Sequence, residues 1–180
     1  MSRQLRPWST LRLVPDTFAP RVWQEWLQMP GSLTQALIDR AGGDFSVRVQ
    51  ALAWHRPHVD ESRLLSQPRQ RSALIREVEL LGRGQVWVAA RSIIPAATLK
   101  GAERRLKDLG NTPLGAYLFR CRSMRRSPMQ FASFVSEEIG IFYGRRSIFY
   151  LHDKPLLVTE YFMPALLQSR VPPKLSTTGQ

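Results

Sequence analysis

The chain has 180 residues, of which 43% are hydrophobic, and this is enough for one domain with a sizeable core. It contains no run of roughly 18 apolar residues that could span a membrane, and its single cysteine, Cys121, excludes an intrachain disulfide and fits a reducing compartment. The formal net charge of +12 is high, yet no nucleic-acid-binding motif accompanies it. We expect a cytoplasmic monomer with a solvated basic exterior and no specific nucleic-acid partner; a basic adaptor for nucleic acid or membrane stays open as an alternative.

The first third of the chain predicts an irregular start followed by two helices. Pro20 can open the first helix, which Pro30 would end. Ser32 can cap the second helix, which would stop at Gly42. A clean alternation of apolar and polar residues over 45–51 then predicts a half-exposed strand.

The middle of the chain predicts a hairpin between a long loop and two helices. Residues 55–71 are polar and contain two prolines, which is typical of a loop. Residues 72–81 and 86–95 read as strands joined by a tight turn. Helices are predicted over 99–109 and 112–119.

The last third predicts three more strands, over 129–137, 144–151 and 155–164, the last two joined by a short turn. Hairpins without regular βαβ alternation favour the α+β class, with a single antiparallel sheet of about six strands. We expect one domain over 1–165 and a disordered tail over 166–180.

Three of the predicted strands carry a charged residue among apolar ones on the same face: Arg76, Arg91 and Glu160. A lone buried charge is costly unless something pairs with it. One interpretation is a structural ion pair for each, with Arg145 or Arg146 as the partner of Glu160. The other is that they converge on one cavity, which would suit a small flat ligand with a carboxylate at one end and a hydroxyl at the other.

Metal and phosphate chemistry have no comparable support. The three histidines, His55, His58 and His152, lack the spacing of a metal-binding set, and no Gly-rich phosphate loop is present. The residues therefore predict neither a metal site nor a phosphate-binding loop.

Five short blocks follow one another at characteristic distances. They are Leu74-Ile75-Arg76-Glu77, Ala90-Arg91-Ser92-Ile93-Ile94-Pro95, Leu109-Gly110-Asn111-Thr112-Pro113-Leu114-Gly115, Gly144-Arg145-Arg146-Ser147 and Leu157-Val158-Thr159-Glu160-Tyr161-Phe162-Met163-Pro164. Together they resemble the chorismate pyruvate-lyase family over about residues 26–164.

The resemblance implies an antiparallel sheet with helical flaps that enclose an internal ligand cavity, without metal or organic cofactor. It also implies cleavage of chorismate to 4-hydroxybenzoate and pyruvate, the first step of ubiquinone biosynthesis. A non-catalytic effector-binding domain of similar fold is the alternative, and 3-hydroxybenzoate is an alternative product.

Carried over by position, the resemblance assigns substrate and product binding to four residues. Arg76 would hold a ligand carboxylate, Glu160 would meet the ring hydroxyl, Leu114 would offer a backbone contact, and Leu33 would supply a flap contact where the family usually has methionine. We expect Glu160 and Arg91 to be catalytic, with Arg91 binding the second carboxylate or the departing ether oxygen, because its strand neighbours that of Arg76.

Overall fold

The computed structural model describes residues 2–168 of the chain. Within that range the backbone forms one antiparallel sheet of eight strands and five short α-helices. The strands are β1 (Arg3–Thr10), β2 (Phe45–His55), β3 (Ala73–Gly82), β4 (Gln85–Pro95), β5 (Arg125–Arg126), β6 (Gln130–Ser136), β7 (Gly140–Leu151) and β8 (Lys154–Phe162). The helices are α1 (Arg21–Leu27), α2 (Leu33–Ala41), α3 (Val59–Leu64), α4 (Leu114–Leu118) and α5 (Ala165–Gln168), and a 3₁₀ helix covers Gly101–Asp108.

The strand order is β1-β6-β7-β8-β4-β3-β2, and β5 pairs with β7 beside this path. Tight turns join β3 to β4 and β7 to β8. The central residues of both turns have positive φ angles: 53° at Arg83 and 72° at Gly84, then 47° at His152 and 63° at Asp153. This is the backbone of two-residue turns whose twist matches an antiparallel hairpin. Both predicted hairpins are therefore confirmed.

The core occupies both faces of the sheet, because side chains alternate along β3. Leu74 and Val78 face one side, where each belongs to a separate apolar cluster. The cluster around Val78 packs under α1 and α2, and the cluster around Leu74 packs under the 3₁₀ helix and α4. Ile75 faces the other side and packs with Ile93 and Leu157 in a third cluster. Arg76 thus lies between the two clusters of the first face.

The sheet has two strands more than the sequence predicts, β1 and β5. The irregular start expected for the chain is wrong, because β1 pairs with β6 along an edge of the sheet. Most of β1 is exposed, it contains Pro7, and its register with β6 shifts twice. An edge strand of this kind lacks the apolar alternation by which strands are recognised.

Three other segments differ from their predictions. The loop expected over 55–71 contains α3, whose start is a capping box between His58 and Glu61. The helix expected over 99–109 is a 3₁₀ helix. The segment predicted as a tail, 166–180, begins inside α5, where Leu166 is buried, and its residues 169–180 lie outside the described range. No helix within residues 2–168 combines the length and apolarity needed to cross a membrane.

Candidate functional site

A pocket lies on the first face of the sheet, between the two apolar clusters. Its floor comes from strands β3, β4, β7 and β8 and includes Arg76, Val78, Ala90, Ser92, Arg145, Val158 and Glu160. Its cover comes from the start of α2 and from α4 and includes Leu33, Thr34, Leu114, Gly115, Leu118 and Phe119. The pocket therefore lies between two short helices and the middle of the sheet.

Arg76 is the positive group of the floor contributed by β3, and it is 2% exposed. Its Nη2 donates to the backbone carbonyls of Gly110 at 2.9 Å and Thr112 at 3.1 Å, in the loop before α4. Burial lowers the pKa of the Arg76 guanidinium below its usual value. Within residues 2–168 no carboxylate forms an ion pair with Arg76. The two carbonyl groups fix the orientation of the Arg76 guanidinium, but they do not neutralise its charge.

Glu160 on β8 is bound to Arg145 on the neighbouring strand β7. Arg145 Nε donates to Glu160 Oε2 at 2.6 Å, and the two side chains are 1% and 16% exposed, respectively. Arg145 Nη1 also donates to the carbonyls of Trp26, Leu27 and Met29, at 3.0, 3.3 and 3.1 Å. Arg145 therefore holds the end of α1 against the sheet. It also fixes the side chain of Glu160, through one of the two carboxylate oxygens.

Arg126, from the two-residue strand β5, is the third arginine that lines the pocket. Its Nε donates to Ser147 Oγ at 2.7 Å, and its guanidinium lies 4.9 Å from the ring centre of Phe149. Burial, and next the charge of Arg145, lower the pKa of Arg126 to about 10, although Glu160 opposes the shift. The guanidinium is held in place by a hydroxyl and an aromatic ring rather than by a counter-ion.

The charges of the pocket do not cancel. Among the described residues that line it, three are arginines and one is a glutamate, which gives a formal charge of +2. Arg145 and Glu160 neutralise each other, so the excess belongs to Arg76 and Arg126. A partly buried site with two unneutralised guanidinium groups favours a ligand with two negative charges.

Comparison with known proteins indicates the family to which a protein with this pocket belongs. The sequence model of the family described as "Chorismate lyase" matches residues 11–171. The chain belongs to the chorismate lyase family. It is 43% identical over 155 residues to a "Probable chorismate pyruvate-lyase" of Methylococcus capsulatus, which covers 80% of this chain and 96% of the relative. It is 33% identical over 141 residues to a "Chorismate pyruvate-lyase" of Citrobacter koseri, which covers 78% and 82%, respectively.

Two solved structures have a similar fold at low sequence identity. The C-terminal domain of a histidine utilization repressor from Pseudomonas syringae superposes with a TM-score of 0.55 at 11% identity, over 67% of this chain and 92% of that one. A possible transcriptional regulator, YydK, from Bacillus subtilis gives 0.51 at 13% identity, over 71% and 61%. This chain thus shares its α+β fold, with one antiparallel sheet, with these two proteins.

The structure brings together four of the residues that the sequence assigns to the site of this chorismate lyase family member. Arg76, Glu160, Leu33 and Leu114 all line the pocket. Leu33 and Leu114 are the first residues of α2 and α4, so each is placed by a helix start; Ser32 caps α2 through the backbone N–H of Gln35. The contacts of these four residues with a ligand stay predictions.

Arg91 is not in the pocket, and the expectation that it points toward the same region as Arg76 is wrong. Directly opposite residues of an antiparallel pair share a face, and the partner of Arg76 is Ser92, whereas Arg91 faces Glu77. Arg91 lies on the other side of the sheet, where it binds Glu61 at 2.8 and 3.2 Å and Glu77 at 2.5 Å. Burial alone would lower the pKa of Arg91, but the bonds to both carboxylates raise it.

Sequence reasoning missed Arg126 and considered Arg145 as a structural partner only. Arg126 stands in an arginine-rich stretch between two predicted elements, where no apolar alternation indicated a strand. A signal was nevertheless available: Arg125 and Arg126 are adjacent, so in an extended backbone their side chains point to opposite faces, and only one of them can share the exposed face. Arg125 is exposed and pairs with Asp153, while Arg126 faces the pocket.

Proposed function

We propose that this chain is a chorismate pyruvate-lyase, which converts chorismate into 4-hydroxybenzoate and pyruvate at the first step of ubiquinone biosynthesis. Relatives of that name align with most of the chain. The observation that carries the proposal is that Arg76 and Glu160, from strands separated by β4, line one pocket. A cation and a carboxylate in a largely apolar pocket match an aromatic ring with a carboxylate at one end and a hydroxyl at the other.

Arg76 binds the ring carboxylate. Both of its backbone hydrogen bonds use Nη2, toward Gly110 and Thr112, so the N–H groups of Nε and Nη1 remain as donors for the carboxylate. The fixed orientation of the guanidinium reduces the entropy lost on binding. Arg76 thereby sets the position of the ring against the floor of the pocket.

Glu160 accepts a hydrogen bond from the 4-hydroxyl group. Arg145 occupies Oε2, so Oε1 is the oxygen that faces the ligand. In the reaction the ether C–O bond breaks and its electron pair leaves on the enolpyruvate oxygen, while ring carbon C4 loses its hydrogen as a proton. That proton goes either to Glu160 or directly to the leaving group. In both routes the enolpyruvate gains one proton and becomes pyruvate.

The ring gains aromaticity, so the driving force lies in the substrate and the protein mainly has to orient it and stabilise charge. The helices α2 and α4 are the flaps that enclose the ligand in this proposal. Leu33 contacts the ring through its side chain, and Leu114 contacts the ring carboxylate through its backbone N–H. Since all of these residues belong to one chain, we expect the cytoplasmic monomer to be active.

The test is to incubate the purified chain with chorismate and to identify the products by chromatography, with pyruvate measured by a coupled reduction. We expect equal amounts of 4-hydroxybenzoate and pyruvate. Formation of 3-hydroxybenzoate would contradict the assigned product. Binding of 4-hydroxybenzoate without any turnover of chorismate would contradict the catalytic role and support a non-catalytic binding domain.

The matched variant is Glu160→Gln, which keeps the shape of the side chain and one oxygen to accept the bond from Arg145, and replaces the oxygen that faces the ligand by an amide NH2 group. We expect a loss of turnover of at least about 100-fold, because the charge that stabilises C4 deprotonation is removed. Affinity for 4-hydroxybenzoate should fall much less. Turnover near that of the wild type would contradict the role of Glu160.

A further inference from the structure

We propose that Arg126 binds the carboxylate of the enolpyruvyl side chain, the part of the substrate that departs as pyruvate. The inference rests on the proposed function and divides the pocket into two anion subsites. Arg76 would hold the ring carboxylate, which the aromatic product keeps. Arg126 would hold the carboxylate that the product lacks.

The bonding of Arg126 is the first argument. Its Nε is used by Ser147, but for its two terminal nitrogens no protein hydrogen-bond partner is found within residues 2–168, and no carboxylate of that range pairs with it. Phe149 supports one face of the guanidinium. The donors that a carboxylate binds edge-on therefore remain available, while the group itself is held by two partners.

The contrast with Arg145 is the second argument. Arg145 is 1% exposed. Its Nε donates to Glu160, and its Nη1 donates to three backbone carbonyls. It is a structural cation whose charge Glu160 already neutralises. Arg145 is therefore a poor candidate for the second carboxylate, and Arg91 lies on the opposite face of the sheet. Arg126 is the pocket cation that is left.

The charge balance is the third argument. Chorismate carries two carboxylates, and the pocket carries two guanidinium groups without a counter-ion, Arg76 and Arg126. Burial lowers the pKa of Arg126 to about 10, so its charged form is destabilised in the empty pocket. A bound carboxylate would remove that penalty. The substrate therefore neutralises both subsites, whereas 4-hydroxybenzoate neutralises one.

This division has a consequence for the reaction. As the ether bond breaks, negative charge develops on the enolpyruvate oxygen, close to the carboxylate that Arg126 holds. An arginine at this end stabilises the transition state and the substrate but not the aromatic product. Loss of Arg126 should therefore separate catalysis from product binding.

The experiment compares Arg126→Met with Arg125→Met, which removes the same charge from the neighbouring exposed position. For each variant, kcat and KM with chorismate and Kd for 4-hydroxybenzoate are measured, together with Tm. We expect Arg126→Met to lower kcat/KM by about 10- to 100-fold, as for loss of a charged hydrogen bond, with Kd for 4-hydroxybenzoate within about twofold of wild type. Arg125→Met should leave all values near wild type.

Two further variants keep the inference testable. Arg126→Lys retains the charge and should recover part of kcat/KM, which a merely structural role for a planar group on Phe149 would not produce. Ser147→Ala removes the bond to Nε and serves if Arg126→Met does not fold; it should raise KM for chorismate and leave Kd for 4-hydroxybenzoate unchanged.

Three outcomes would overturn the inference. Unchanged kcat/KM in Arg126→Met would show that Arg126 does not bind substrate. An equal loss of chorismate turnover and of 4-hydroxybenzoate binding would place Arg126 at the ring carboxylate or in the fold. If the wild-type chain converts no chorismate, the proposed function fails and this inference fails with it, so the two failures are distinguished by the wild-type assay alone.

Discussion

Arg76 and Arg91 lie on neighbouring strands, β3 and β4, yet they face opposite sides of the sheet and have different kinds of partners. Arg91 binds two carboxylates, Glu61 and Glu77, so its charge is more than balanced. Arg76 binds, among residues 2–168, only carbonyl oxygens, so its charge has no counter-ion in that range. From this difference in partners we infer that Arg91 stabilises the fold and that Arg76 serves a ligand.

The largest effect should come from the arginine without a counter-ion. Replacement of Arg76 by Met removes the contact to the ring carboxylate, and we expect a loss of about 3–5 kcal/mol of transition-state stabilisation, or about 150- to 5,000-fold in kcat/KM. Binding of 4-hydroxybenzoate should weaken in parallel, because this carboxylate is kept in the product. Steady-state kinetics and calorimetric titration measure the two quantities.

Unfolding of the same variant by urea checks the other half of the comparison. No ion pair is broken, but two hydrogen bonds to backbone carbonyls are lost, so the free energy of unfolding should fall by about 1–3 kcal/mol, less than the loss of transition-state stabilisation. A loss of stability as large as the loss of activity would mean that Arg76 belongs to the scaffold as Arg91 does.

The corresponding variant on the other face of the sheet is Arg91→Met. It leaves Glu61, which is 5% exposed, without its cation, and we expect the free energy of unfolding to fall by about 2–4 kcal/mol. The kcat/KM of the folded variant should stay within about threefold of wild type, because the side chain points away from the pocket. A selective loss of activity with unchanged urea stability would revive the prediction that Arg91 is catalytic.

Glu103 extends the comparison to a carboxylate with partners. It is 2% exposed and accepts bonds from Lys154 Nζ and His152 Nδ1, at 2.6 and 2.7 Å. Burial would raise the pKa of Glu103, but these partners together outweigh burial and lower the pKa below its usual value. The folded state therefore binds fewer protons than the unfolded one, so the stabilisation is fully present above the unfolded-state pKa and is lost as the pH falls through the folded-state pKa.

Glu103→Gln should lower the free energy of unfolding at pH 7 by about 1–3 kcal/mol. The difference between variant and wild type should shrink as the pH is lowered from 7 toward 3, which urea unfolding at several pH values measures. A difference that stays constant over this range would contradict the role of the charge.

Alternation within a strand was sufficient to find Arg76 and Glu160, because both strands are apolar on the face that carries the charge. It could not place Arg91, since the face shared by two strands depends on their register, and Ser92 rather than Arg91 is paired with Arg76. Arg126 could not be predicted for another reason: a strand of two residues is too short to show any periodicity in the sequence. Local sequence patterns therefore predict some residues of the pocket, whereas the others depend on how distant strands pair.

The smallest effect concerns the flaps, where α2 and α4 touch. A Cβ atom on Gly115 would lie 2.6 Å from Oγ1 of Thr34, closer than the packing allows. Gly115→Ala should push α4 away from α2 and raise KM for chorismate by about 3- to 10-fold, equivalent to about 1 kcal/mol. In the double variant with Thr34→Ala the obstructing oxygen is gone, so KM should return toward wild type; equal KM values in the single and double variants would show that the fit between the two helices does not control access to the pocket.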